Sequence, residues 1–381
     1  MDFDLSEEQT LLQASVQRLM ADHYGFEQRK SYGAAPEGWS REMWRRLAEL
    51  GLLGLPFDEA QGGFGGGPVE TMIAMEAMGG ALALEPYLAT VVLAGGCLRH
   101  AGSAAQLASL VPAIAAGETV LAFAHGERQA RWDLADVATR ARRDGGGWVL
   151  EGEKSLVLQG GSADRFVVSA RVSDERRERQ GIALFLVEGT AQGLSRRPYP
   201  TQDGMRAAEI SLASVRVPAD SVLGEPGTAL GAIERVIDEA IAALCAEAVG
   251  AMAALADLTV EYLKTRRQFG VAIGSFQALQ HRAADMRIAL EQARSMTLFA
   301  TMMAGSDDAD ERGKAMAAAK VQVGRSGKLV GQQAIQLHGG IGMTMEYKAG
   351  HYLKRLAMID AAFGDADHHL RALARAGGIF A

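Results

Sequence analysis

The sequence predicts an α+β multidomain fold: an N-terminal α-helical domain over residues 1–117, a middle β-sandwich or barrel domain over 118–224, and a C-terminal four-helix-bundle-like α domain over 225–381. Three observations carry this. Apolar residues recur at helical spacing through the first third. Near Thr119 short β-prone runs take over, separated by Gly-, Asp- and Arg-rich turns. From Thr228 the helical pattern returns and persists to the end. At 381 residues, 48% hydrophobic and 22% charged, the chain has the length for two or three domains and the composition of an ordinary globular protein.

The elements follow in order. Ser6 with Gln9 makes a capping box, and Leu5, Leu12, Val16 and Leu19 repeat at helical spacing. A second helix is expected over 40–50, stopped by Gly51. After the cluster Gly62-Gly63-Phe64-Gly65-Gly66-Gly67, helices resume over 72–78 and 88–100, and another ends near Gly117. Strands are predicted over 120–123, 148–150, 165–170, 182–187 and 208–212. A helix of roughly 38 residues, ~57 Å long at 1.5 Å per residue, should then run to about Thr265 as a bundle spine or subunit interface. Further helices are expected over 277–303, 310–337 and 347–358, with Asp308 and Glu311 capping one of them.

Bulk properties exclude several classes. A net charge of −7 with no basic face argues against nucleic acid. The run Arg140, Arg142 and Arg143 beside Asp144-Gly145-Gly146-Gly147 reads as a solvated hairpin end. Cys97 and Cys245 lie in apolar helical stretches, as buried thiols of a reducing compartment do. Met1-Asp2-Phe3-Asp4 lacks the basic region of a signal peptide, and no apolar run approaches the ~20 residues of a membrane span. The expected location is cytoplasmic.

Two motifs carry chemistry. In Tyr262-Leu263-Lys264-Thr265-Arg266-Arg267-Gln268-Phe269-Gly270, Arg266 can give a bidentate grip on a pyrophosphate and Gln268 a neutral amide. Phe269 can cover a ring, and Gly270 permits a tight reversal before Phe276-Gln277-Ala278-Leu279-Gln280-His281. In Gln336-Leu337-His338-Gly339-Gly340-Ile341-Gly342 the glycines let a backbone approach a cofactor closely. These segments, with Ala284-Asp285-Met286 and the Glu49–Pro56 helix and glycine loop, resemble the acyl-CoA dehydrogenase family over essentially the whole chain.

The resemblance implies FAD as cofactor, with Arg266, Gln268, Phe269, Gln277, Gln336, Leu337, Gly339 and Gly340 among its contacts. It also implies at least a dimer, because the glycine segment grips flavin held mainly by a neighbouring subunit. An acyl-CoA is the implied substrate and an electron-transferring flavoprotein the implied acceptor. The middle domain matches less closely. Gly152-Glu153-Lys154-Ser155-Leu156-Val157-Leu158 keeps the family frame, but Leu156 and Leu158 replace tryptophan and threonine beside the flavin. The segment with Phe123 matches only at Glu127. One flavin wall should therefore be apolar and poor in hydrogen bonds.

The family removes an α-proton with a carboxylate while the flavin accepts the β-hydride. Its usual glutamate aligns with Phe363, and the alternative position on the long helix aligns with Ala240. Neither accepts a proton. Glu239 is turned away, and Glu247 reads as a carboxylate paired with a neighbouring helix. Asp365, two residues past the usual position, is the preferred candidate base, because the resemblance extends to relatives of this fold that use an aspartate. His368 and His369, adjacent on a helix, point apart too far for common metal ligation, so no metal is expected. The C-terminal Phe-Gly-Asp-Ala-Asp-His-His pattern is similar to small subunits of the pimeloyl-CoA dehydrogenase type, which implies a heteromer and a bulky or dicarboxylic acyl chain. Two other readings stay open: a catalytically silent subunit that shapes a partner's site, and a flavin oxidase or monooxygenase on the same fold.

Overall fold

The computed structural model describes residues 4–173 and 175–378. The reading of the start of the chain at Met1, Asp2 and Phe3 lies outside the described residues. Helix α1 (Glu7–His23) opens on the expected Ser6/Gln9 capping box. It is followed by α2 (Phe26–Ala34) and by α3 (Arg41–Glu49), whose Ser40 side chain accepts from Met43 N–H. After the glycine cluster comes α4 (Pro68–Ala81). A π-helical stretch, Leu88–Ala94, runs on into α5 (Gly95–Ala101), and α6 (Ala104–Ala115) opens on a Ser103/Gln106 capping box.

Eight strands then form one sheet: β1 (Leu121–Ala124), β2 (Arg140–Asp144), β3 (Gly147–Leu158), β4 (Arg165–Arg171), β5 (Ile182–Glu188), β6 (Leu194–Pro200), β7 (Arg206–Pro218) and β8 (Val222–Leu223). The order is β6-β7-β3-β2-β4-β5-β8, with β1 pairing parallel to β4. Two strands stand between β3 and β5, yet Trp148 and Phe185 meet edge to face at 5.4 Å. The sheet therefore curls around one core that also holds Phe166, Val168, Ile210 and Val215. The predicted strand runs fall within these elements or at their edge, but β2, β6 and the short β8 were not expected. β6 carries Pro198 and Pro200, which an edge strand tolerates. The arginine-rich hairpin end is real, with Asp144 opposite Gly147 and Arg142 and Arg143 exposed.

The remaining helices are α7 (Leu230–Thr265), α8 (Gln277–Ala304), α9 (Ala309–His338), α10 (Ala349–Ala361) and α11 (Ala366–Arg375). Asp308 caps α9 as expected, accepting from Asp310 and Glu311 N–H. A two-stranded hairpin, β9 (Arg267–Gln268) with β10 (Val271–Ala272), joins α7 to α8.

The chain packs as two compact units. The first takes residues up to Ser31, Gly67–Ala83 and everything from Ile241; the second takes Tyr32–Gly66 and Leu84–Ala240. Within the first, α4 and α7 touch backbone to backbone. A Cβ on Gly79 would sit 2.0 Å from Glu247 O, and one on Gly250 1.9 Å from Glu76 O, so both contacts require glycine. One expectation is corrected here. By length and composition α7 is apolar enough to cross a membrane, with a mean hydropathy of 1.8 over its best window. The reason is packing: 78% of that window is buried inside the protein, and a helix buried all round is apolar all round. Cys97 and Cys245 are both free and buried.

Candidate active site

The first motif forms the tip between α7 and α8. Thr265 Oγ1 donates to Glu261 O at 2.9 Å as α7 ends, and Gln268 pairs with Val271 across a two-residue turn. Phe269 and Gly270 both have positive φ, +55° and +84°, the signature of a type I′ turn. Glycine adopts this freely; phenylalanine does not. Phe269 is nonetheless 91% exposed, touching Phe276 edge to face at 6.1 Å. Arg266, Gln268 and Gln277 are exposed beside it, and the Arg266 side chain has no ion-pair partner among the described residues. The tip thus presents on the surface of this unit a strained, bare aromatic and a guanidinium without an ion-pair partner among the described residues.

The glycine segment lies at the end of α9. Gly339 ends the helix at φ +63°, and a Cβ on Gly339 or Gly340 would meet nothing within 4 Å. Both glycines and Gln336 are exposed, while Leu337 is buried. His338 is structural, as the sequence suggested. Its Nδ1 faces Ala334 O at 2.8 Å, which requires the proton there, so Nε2 accepts from Tyr347 Oη at 3.2 Å. Burial lowers its pKa. Its ring lies 4.6 Å from that of Tyr262, tying the glycine segment to the root of the hairpin.

In the second unit, Phe123 is buried on β1, Leu158 is partly buried, and Leu156 is 53% exposed on β3. Leu156 also has positive φ, +53°, where the β3–β7 register shifts between Lys154 and Val157. The bulge re-aims its side chain outward. Sequence reasoning singled out Leu156, Phe269 and Phe363 by alignment alone, and all three are among the non-glycine residues held at positive φ.

Both familiar base positions are closed. Ala240 is fully buried. In the second unit Glu239 pairs with Arg99 at 2.6 Å and His100 at 2.7 Å; burial pushes its pKa up, but His100 and Arg99 outweigh that and hold it low. In the first, Arg355 of α10 grips Glu247 in two-pronged fashion at 2.5 and 2.7 Å, the inter-helix pairing expected of it. Phe363 sits at φ +56° in the turn between α10 and α11. That turn is tied together. Lys320, fully buried on α9, donates to Ile359 O (2.7 Å), Asp360 O (2.8 Å) and Gly364 O (2.9 Å), and His369 Nε2 reaches Phe363 O at 3.0 Å. Asp365 caps α11, its Oδ1 accepting from His368 N–H at 2.7 Å. The His368 and His369 rings stand at 87°, and among the described residues no three ligand-type side chains gather as a metal would need. Lys320 was missed by sequence reasoning; a lone lysine in Ala-Ala-Ala-Lys-Val-Gln-Val gives no sign that it is buried.

The comparisons with known proteins agree with this geometry. Models of the acyl-CoA dehydrogenase N-terminal, middle and C-terminal domains match residues 6–118, 122–215 and 227–378. The chain belongs to the acyl-CoA dehydrogenase family, oxidoreductases of fatty acid metabolism. It is 30% identical to a probable acyl-CoA dehydrogenase, YngJ of Bacillus subtilis, over 98% of this chain and 99% of that one. Among solved structures it resembles the ChsE4–ChsE5 complex of Mycobacterium tuberculosis (27% identity, 98% of each chain, TM-score 0.88) and the FAD complex of PigA (26%, 100% of each chain, TM-score 0.91).

Proposed function

We propose that this chain is an FAD-dependent acyl-CoA dehydrogenase, or one subunit of a heteromeric one, acting in the cytoplasm on a bulky or dicarboxylic acyl-CoA. The observation that carries the reading is Phe269, bare and strained beside unpaired Arg266. The donor set suits FAD: a guanidinium for the pyrophosphate (Arg266), amides for neutral polar edges (Gln268, Gln277, Gln336), and a glycine backbone with open space above it (Gly339, Gly340) next to Leu337. Separately, in the second unit, Phe123, Leu156 and Leu158 are the apolar residues that the resemblance assigns to a flavin wall. When bound, FAD supplies the acceptor for the substrate's β-hydride. In the chain itself, Asp365 is the proposed acceptor of the α-proton, at Oδ2, because Oδ1 is engaged by His368 N–H. The three-domain division at 117/118 and 224/225 is part of the same proposal, as is electron transfer onward to an electron-transferring flavoprotein.

A second reading has its own support. With Phe363 and Ala240 at the base positions, and Glu239 and Glu247 both paired, the chain suits a flavin-gripping subunit whose partner provides the base. Resemblance to a chain of the ChsE4–ChsE5 complex, in line with the pimeloyl-type ending, favours such a heteromer. One experiment separates them. The chain is purified alone, its flavin absorbance recorded, and reduction of an artificial electron acceptor by acyl-CoA measured. Bound FAD with turnover supports the first reading and defeats the second; bound FAD without turnover does the reverse. A chain that retains no flavin in any oligomeric state overturns the cofactor assignment.

A further inference from the structure

The second unit buries a polar cluster that the proposed reaction does not use. Lys154 on β3 is fully buried, and its Nζ donates to Glu127 Oε1 (2.7 Å), Ser169 Oγ (3.0 Å) and His125 O (3.3 Å). Glu127 also accepts from Gln129 Nε2 (2.6 Å), Ala138 N–H (2.8 Å) and Thr139 N–H (3.1 Å). The ion pair is thus satisfied on both sides, as a buried pair must be to persist.

One consequence falls on His125. Its Nδ1 lies 2.9 Å from Ser169 Oγ. An ammonium has no lone pair, so Ser169 must accept from Lys154. The hydroxyl proton then has one acceptor among the described partners, His125 Nδ1. An imidazole that accepts at Nδ1 and is neutral carries its proton on Nε2. Burial, and then the Lys154 ammonium, push the ring's pKa down to about 3 against the opposing pull of Glu127. The ring therefore stays neutral through the physiological range. Its direction is fixed as well. His125 lies one residue past the end of β1 and two from Phe123, and the rings stack at 5.4 Å and 11°. His125 is partly exposed, and its Nε2–H has no hydrogen-bond partner among the described residues.

We propose that His125 is a fixed, neutral hydrogen-bond donor that presents Nε2–H to the flavin ring walled by Phe123, Leu156 and Leu158. The inference rests on the FAD reading above. It supplies what that wall lacks, since phenylalanine and leucine side chains donate no hydrogen bonds. A preorganised donor favours the more negative, reduced form of the ring. Lys154 and Glu127 act through His125, the first by fixing its tautomer via Ser169 and the second by holding Lys154.

The test uses the FAD-loaded protein in its native assembly. His125→Phe keeps the stacking and removes the donor; His125→Gln keeps an N–H. His125→Phe is expected to shift the oxidised-to-reduced flavin equilibrium about tenfold toward oxidised, about 30 mV for a two-electron couple, and to move the visible absorption bands. His125→Gln should recover most of both changes. The difference between wild type and His125→Phe should be constant from pH 5 to about 7, below the range near pH 8 where Lys154, its pKa lowered chiefly by burial to about 8, gives up the proton that fixes Ser169. An unchanged potential and spectrum in His125→Phe with FAD retained overturns the inference and leaves the cofactor assignment standing. If that variant loses FAD, imidazole 15N NMR of the wild type decides: an Nε2–H ring whose signal moves on FAD binding supports the inference, and an Nδ1–H ring or an indifferent signal overturns it. A wild-type chain that takes up no FAD overturns the inference and the cofactor assignment together.

Discussion

Two turns in the first unit, one after α7 and one after α10, are built on opposite principles. At the hairpin tip Phe269 lies bare at positive φ and Arg266 has no ion-pair partner among the described residues. At the turn around Phe363 nearly every polar group is answered from within: Lys320 takes three carbonyls, Asp365 caps α11, and His369 reaches Phe363 O. Both carry a phenylalanine at positive φ, so strain alone does not mark a binding surface. Strain together with unanswered groups does. On the proposed reading the hairpin is the turn that meets a ligand or another chain, whereas the Phe363 turn is complete, which is why proton abstraction is harder to assign than cofactor binding.

If the Phe363 turn is held from within, removing its centre should be the costliest change. Lys320→Met leaves three buried carbonyls without a donor, and the expected loss is about 3–5 kcal/mol in denaturant unfolding. A loss under about 1 kcal/mol would mean that water replaces the ammonium and the contrast between the turns is false. The next effect is read by pH. Burial, and then Lys320, push the pKa of His369 from 6.5 down to about 4, with the bond to Phe363 O opposing. The unfolded chain therefore binds a proton in a range where the folded chain does not. Stability is full above pH 6.5 and falls as pH drops toward 4, by up to about 3 kcal/mol. His369→Phe should flatten that part of the curve relative to wild type; parallel curves would show that the ring titrates normally.

A smaller effect splits the two roles of Asp365. Asparagine caps a helix about as well as aspartate but cannot take the α-proton. Asp365→Ala should cost about 1 kcal/mol and Asp365→Asn less than about 0.5. If Asp365 is the base, both variants lose turnover while retaining FAD. Turnover unchanged in Asp365→Asn would leave Asp365 as a cap alone and shift the weight to a partner subunit's base.

How far the sequence carried follows from the same contrast. Periodicity and capping residues placed α1, α3, α8 and α9 because those signals are local: Ser6 with Gln9 and Asp308 cap as read, and Ser40, where the second helix was expected to begin, is its N-cap. The reversal between α7 and α8 was legible through the motif's resemblance to the family's turn, whereas the β9–β10 pairing was not. β6 was not, since Pro198 and Pro200 look like turn residues until a neighbouring strand gives them an edge to occupy. Nor was the burial of Lys320, because it depends on carbonyls some 40 residues away along the chain. The Glu247–Arg355 pair shows what intermediate reasoning reaches: an isolated glutamate in an apolar helix announces a partner without naming it.

The smallest change in stability should have the opposite sign. Phe269 precedes Gly270 in a type I′ turn, where Asn-Gly is the favoured pair because asparagine tolerates positive φ. Phe269→Asn removes the strain and, since the ring is 91% exposed, forfeits almost no burial within the unit. The variant should therefore be more stable than wild type by up to about 1 kcal/mol. It should also retain less FAD, measured as the flavin-to-protein absorbance ratio after gel filtration. A gain in stability with a loss of flavin would show that strain at the hairpin is kept for binding. A loss of stability in the FAD-free variant would mean that Phe269 packs at home, and the hairpin would then resemble the Phe363 turn after all.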